Sequence, residues 1–197
     1  MSPRPSPDPA NRGRIAMVAY TNYQTDPRCR REATLAAEYG WDVHFYALSK
    51  DGRSRTLETE GITLHELPMA RYRGSSSRAY FGSYLQFLLR ASWAVQSDHL
   101  GNRFDVVHVN TMPDFMVAVG LLPRLFGAKV VLDIHDVMPE IYMTKFRVPG
   151  THWKIRLIKG IEVLSTRCAH AVLTAEHPKG ALLEEHGVPS EKITVLL

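Results

Sequence analysis

Apolar residues in this chain fall into short runs, separated by polar turns and by stripes with helical spacing. Ile15–Tyr20 (IAMVAY), Val43–Leu48, Ile62–Leu67, Asp105–Val109 (DVVHV), Val130–Ile134, Ala171–Ala175 and Ile193–Leu197 are such runs. Most are apolar at successive rather than alternate positions, as strands covered on both faces are. The segments between them predict helices. The first has Asp26 at its N-cap, Pro27 at the first helical position and Gly40 just past its end. Its inner face, Cys29, Ala33, Ala36 and Ala37, is small enough to lie close on a sheet. From Tyr80 to about Leu100, a stripe of Tyr80, Tyr84, Phe87, Leu88, Ala91 and Val95 predicts a long helix. Pro113–Phe126, closed by Gly127, His152–Ala169, and Pro178–His186, ending at Gly187, complete the set. The stretch before Ile62 reads as a Gly/Ser/Arg-rich turn region, and residues 69–79 as loop. Strands alternating with helices predict an α/β fold. It is a doubly wound, mainly parallel sheet of about seven strands with helices on both faces.

The chain has 197 residues, 45% of them hydrophobic and 22% charged, which suits one sizeable core. Met1–Arg14 carries four prolines and no apolar run. Residues 1–13 are therefore expected to be a disordered leader, not a secretory signal, with the folded domain at 14–197. No window approaches the roughly 18 consecutive apolar residues of a membrane span. Cys29 and Cys168 form neither a C-x-x-C pair nor a disulfide framework, so a reducing cytoplasm is the expected location. A net charge of +4 favours an anionic partner without choosing one.

In open parallel sheets, ligands bind beyond the carboxyl ends of the strands. The polar residues of this chain gather there: Thr21, Asn22, Gln24 and Asp26 after the first strand, Asn110, Thr111 and Asp114 after Val109, and His135, Asp136 and Glu140 after Ile134. Arg28, Arg30 and Arg31 crowd a helix N-terminus that already carries positive dipole, at about 0.3–1 kcal/mol each if unpaired. Either Asp26, Glu32 and solvent offset them, or Arg28 and the helix amides form an anion site. His135 has two readings as well. It is a structural histidine beside an N-cap at Asp136, or it donates to a sugar hydroxyl while acidic neighbours fix its tautomer. Asp133 is placed on the other side of the strand from His135, bracing a neighbouring loop. No metal is expected, because His135, Asp136 and Glu140 match no standard zinc spacing. The first loop has no glycine, and neither a dinucleotide fingerprint, a P-loop nor a nucleophile elbow is present.

Four stretches carry a resemblance: Asp26-Pro-Arg-Cys-Arg-Arg-Glu-Ala with Gly40-Trp-Asp-Val, Phe104-Asp-Val-Val-His-Val-Asn, Leu132-Asp-Ile-His-Asp-Val-Met-Pro-Glu, and Gly187-Val-Pro-Ser-Glu-Lys-Ile-Thr-Val. Over residues 14–197 the chain resembles the N-terminal domain of retaining family-4 glycosyltransferases, whose GT-B fold pairs two Rossmann-like domains. The resemblance implies a nucleotide-diphosphate sugar as donor substrate, no cofactor, and an acceptor-side domain here. It implies that His135 reaches the donor sugar and acts as the catalytic residue. Thr21, Asn22, Gln24, Asp26, Arg28, Asn110, Asp114, Asp136 and Glu140 are the substrate-binding candidates. Where many relatives carry a Gly-Gly pair, this chain has Asn22, Tyr23 and Gln24. The donor-binding C-terminal domain is not in this sequence, which stops within a strand. The isolated chain is therefore expected to need a second domain or partner chain.

Lys145–Lys159 and Arg71–Trp93 mix cations with aromatic and aliphatic residues. Either their apolar residues pack on the sheet, or these stretches lie peripherally on an anionic membrane, which would suit a lipid-linked acceptor. The functional expectation is sugar transfer to a glycan, lipid-linked or envelope polysaccharide acceptor. The alternatives are a non-catalytic acceptor-binding or partner subunit, and a sugar-nucleotide epimerase-like half. No nucleic acid partner is expected, since charge alone would carry it.

Overall fold

A computed structural model describes residues 12–72, 74, 77–110 and 113–196. Its strands are β1 (Gly13–Ala19), β2 (Trp41–Leu48), β3 (Arg55–Thr59), β4 (Ile62–Leu67), β5 (Val106–Asn110), β6 (Lys129–Asp133), β7 (Ala171–Thr174) and β8 (Ile193–Val195). Its α-helices are α1 (Pro27–Glu38), α2 (Ser77–Gly101), α3 (Leu121–Leu125), α4 (Met138–Phe146), α5 (Trp153–Cys168) and α6 (His177–Glu185). The strands form one sheet in the order β3-β4-β2-β1-β5-β6-β7-β8. Every pairing is parallel except β3–β4. The predicted mainly parallel α/β sheet is what the chain forms.

Helices cover both faces. Cys29 and Ala33 of α1 pack on Met17, Phe45 and Leu64. On the other face Phe87, Ala91 and Val95 of α2 and Met116, Val117 and Val119 of a 3-10 segment meet Val18, Val109 and Leu132. Gly120 ends that segment against the sheet, where a Cβ would stand 2.9 Å from Val130 Cγ2.

The structure corrects several sequence expectations. β3 lies in the region read as turn. Its side chains are largely exposed, and it pairs only with β4 through the Glu60–Gly61 turn, whose φ values of 53° and 76° suit a two-residue hairpin. The single helix expected over Pro113–Phe126 is a 3-10 segment, Asp114–Gly120, followed by α3. The N-cap of α4 is Val137, not Asp136. Arg12 N–H donates to the Gly40 carbonyl at 3.0 Å and β1 opens at Gly13, so order extends into the last two residues of the expected leader. The rest of that leader, with Thr111 and Leu197, lies outside the described residues.

Candidate functional site

β1, β5 and β6 lie side by side, so the loops at their carboxyl ends meet at one edge. They form a cleft of about 210 Å³ with the N-terminus of α1 and the first turns of α2. Thr21, Asp26, Arg28, Asn110, His135 and Asp136 line it, together with Arg71, Tyr80 and Tyr84. Asn22, Gln24, Asp114 and Glu140 are not in the lining. Asn22 precedes a 3-10 turn, and Gln24 within that turn is exposed. Asp114 is buried, and burial with the nearby Glu162 charge pushes its carboxyl up to about 8. Glu140 instead lies 3.4 Å from His186 Nε2.

The floor of the cleft is a buried polar cluster. His135 and Asp133, two residues apart, share one side, and His135 Nε2 is 3.2 Å from Asp133 Oδ2. This corrects the expectation that Asp133 points away: a period of two returns a side chain to the same face. Asn110 donates its amide to Glu32 Oε2 at 2.7 Å and to Asp133 Oδ2 at 3.3 Å, tying α1, β5 and β6 together. The same Nε2 lies 3.5 Å from the Asn110 amide nitrogen, which can only donate, whereas the nearer Asp133 carboxylate can only accept; with the proton on Nε2 to serve the nearer group, Nδ1 carries the lone pair. That Nδ1 and the Asn110 Oδ1 are buried without a hydrogen-bond partner among the described residues. Burial pushes His135 down, outweighing the pull of Asp133 upward, so the ring is neutral near pH 7. Burial, then the Asp133 charge, push Glu32 up. Glu32, Asp133 and His135 also bring three ligand atoms within 4.8 Å of one another, a set a divalent cation fits by chemistry. It differs from the set weighed from sequence, of which only His135 is a member.

The three arginines of α1 separate. Arg30 Nε donates to Glu60 Oε1 at 2.8 Å, Arg31 is exposed, and Arg28 lines the cleft. Asp26 caps the helix by accepting from Cys29 N–H at 3.2 Å. Although burial pushes Asp26 up, the Cys29 N–H and the Arg28 charge hold it below the usual carboxylate range. Lys179 Nζ donates to the His135 carbonyl at 2.6 Å and fixes the loop from α6. Glu32, Arg71, Tyr80, Tyr84 and Lys179 were not singled out from sequence as site residues. Glu32 alone left a signal, standing one helical turn after Arg28.

The family described as "Glycosyl transferase 4-like domain" matches residues 26–197. No match is found among curated proteins. Sucrose-phosphate synthase from Thermosynechococcus elongatus is similar in structure, with a TM-score of 0.68 and 15% identity, over 93% of this chain and 47% of that one. Anabaena HepE in complex with UDP and glucose gives a TM-score of 0.54 at 13% identity, over 93% and 44% of the two chains. An assigned UDP-N-acetylglucosamine 2-epimerase from Listeria monocytogenes gives 0.54 at 12%, over 92% and 44%. The chain spans about half the length of these solved chains, and identities this low speak for the fold alone.

Proposed function

The chain belongs to the glycosyl transferase 4-like family and has the fold of an N-terminal GT-B half-domain, and from that premise we propose that it is the acceptor-side part of a sugar transferase. The donor is a nucleotide-diphosphate sugar, and the acceptor a glycan, a lipid-linked sugar or a polysaccharide. The observation that carries this reading is the unpartnered Nδ1 of a neutral, carboxylate-anchored His135 at the floor of the cleft. Nδ1 has almost no exposed surface, so a sugar hydroxyl reaches it only after a small opening of the cleft floor, and there it meets an acceptor that brings no charge. Asp133 holds the ring and Asn110 holds Asp133, and the carboxylate stabilises positive character at the ring as the glycosidic bond of the donor breaks. Arg28, at the positive end of α1, attracts a phosphate.

The cleft is smaller than the ~300–1,000 Å³ of usual small-molecule sites, which supports a second wall from a donor-side domain or partner chain. The likeness to an epimerase supports an epimerase-like half as the second reading, and the family match favours transfer. The test supplies radiolabelled nucleotide-diphosphate sugars and mixed glycan acceptors to the 197-residue chain, alone and joined to the donor-side domain from its source. Label moves only in the joined form, and His135→Ala removes it. Robust turnover by the chain alone, or full activity of His135→Ala, overturns the reading.

A further inference from the structure

The long helix α2 presents two opposed apolar faces, so part of the stretch Arg71–Trp93 packs on the sheet and part is left exposed. Tyr84, Phe87, Ala91 and Val95 are buried against the sheet. Phe81, Leu85, Leu89, Trp93 and Leu100 are exposed, with Trp93 77% and Leu89 64% accessible. Phe81, Leu85, Leu89 and Trp93, one helical turn apart, draw a stripe of about 18 Å along the outer side, with Leu100 two turns further on. Leu121, Leu122, Leu125 and Phe126, on or just beyond α3, are exposed as well. Phe126 lies beside the end of α2, its ring centroid 5.9 Å from that of the buried His99 and the Arg103 guanidinium 5.7 Å from it, so α3 extends the exposed apolar residues past the end of α2.

The charge around this surface is positive on balance. Residues 77–129 hold Arg78, Arg90, Arg103, Arg124 and Lys129 against Asp98, Asp105 and Asp114. Each of the three carboxylates is engaged or buried. Asp98 accepts from Tyr46 O–H, Asp105 accepts from Arg14 N–H at 2.8 Å, and Asp114 is inside the fold. Arg78, Arg103 and Lys129 are exposed. A long convex apolar stripe with aromatic residues and a cationic rim fits an anionic bilayer surface, where apolar side chains enter the acyl boundary and cations meet headgroups. No helix among the described residues is long and apolar enough to cross a membrane.

We propose that α2 and α3 dock this chain peripherally on an anionic lipid surface, through Phe81, Leu89, Trp93 and Leu125 with Arg78 and Arg103 at the rim. Tyr80 and Tyr84, on the first turns of the same helix, line the cleft from the side of α2 that faces the sheet. This docking stands apart from the transfer reading, because it needs neither donor nor second domain.

The test is co-sedimentation of the 197-residue chain with phosphatidylcholine vesicles, with and without phosphatidylglycerol, at low and high salt. The wild type sediments with the anionic vesicles at low salt and is released by high salt. Leu89→Glu with Trp93→Glu weakens partitioning at least about tenfold while leaving the unfolding temperature unchanged. Arg78→Glu with Arg103→Glu removes the preference for anionic lipid. If the Glu pair perturbs folding, Leu89→Gln with Trp93→Gln repeats the comparison. A wild type that does not sediment, or a Leu89/Trp93 variant that sediments as well as wild type, overturns the proposal. So does a lipid-free dimer that the same variant abolishes, since a second copy would then own the surface.

Discussion

Two histidine–carboxylate clusters of nearly the same composition lie in different parts of the fold, and they differ in what is left unpaired. Asp133 at the end of β6 and His135 just after it meet Glu32 of α1, while His44 and His65 lie mid-strand on β2 and β4 and meet Asp98 of α2. Both bring three ligand atoms within 4.8 Å. In the second cluster Arg14 Nη2 faces His44 Nε2 at 2.6 Å, and a guanidinium only donates. His44 therefore carries its proton on Nδ1 and donates to His65 Nε2 at 3.0 Å. Tyr46 O–H donates to Asp98, and its ring stacks on His65 at 4.5 Å. Among the described residues, no side-chain atom of His44, His65, Tyr46 or Asp98 is left buried without a partner. In the first cluster, His135 Nδ1 and Asn110 Oδ1 stay buried and open. Residue types alone do not separate a site from a brace; here the difference is an unmatched buried atom on a residue that also lines the cleft.

Substitutions separate the two clusters most strongly at the histidines. His135→Ala in the joined enzyme is expected to lower transfer by about 10²–10³-fold, the scale of losing one preorganised polar group, and to cost about 1–3 kcal/mol because Asp133 loses its buried partner. His44→Ala is expected to cost about 1–3 kcal/mol in urea unfolding as well, and to leave ligand affinity intact. Tyr46→Phe removes the donor to Asp98, and because Asp98 is partly reached by water the expected cost is about 1 kcal/mol. Arg28→Ala is expected to weaken a phosphate-bearing ligand by about tenfold in a calorimetric titration, with stability unchanged or slightly raised.

The smallest difference is in pH. Burial holds His65 below the ordinary histidine value, so the unfolded chain takes up its proton first on acidification. Its contribution is whole above that ordinary value and is lost as pH falls through the lower folded one. The stability curve of His65→Gln is expected to be flatter than wild type across this acid range. Asp114 and Glu162, pushed by burial to about 8 and about 7, act with the opposite sign, and they cancel between the two proteins. Parallel curves would mean that His65 titrates alike in the folded and unfolded chains.

Much of this architecture is legible in the sequence, because the buried strands are continuous apolar runs and α1 carries its own Asp-Pro start and glycine stop. β3 is not, since Arg55–Thr59 is an exposed edge strand whose only signal is pairing with β4. The 3-10 segment is equally hidden, because Gly120 must approach Val130 and that contact belongs to the tertiary packing. In the cleft, His135, Asp136 and Arg28 stand out by their place after a strand or at a helix start. Glu32 reaches the cluster only through the angle at which α1 crosses the sheet. Asp133 was within reach of a simple period-two count.

The central claim is that His135 Nδ1 is the ligand-facing lone pair, and imidazole nitrogen NMR near pH 7 tests it most directly, with nucleotide-diphosphate sugars and free sugars titrated in. The expected result is a neutral His135 protonated on Nε2, whose Nδ1 resonance moves on titration while His44 and His65 stay fixed. A His135 protonated on Nδ1, or ligand shifts confined to His44 and His65, would contradict it.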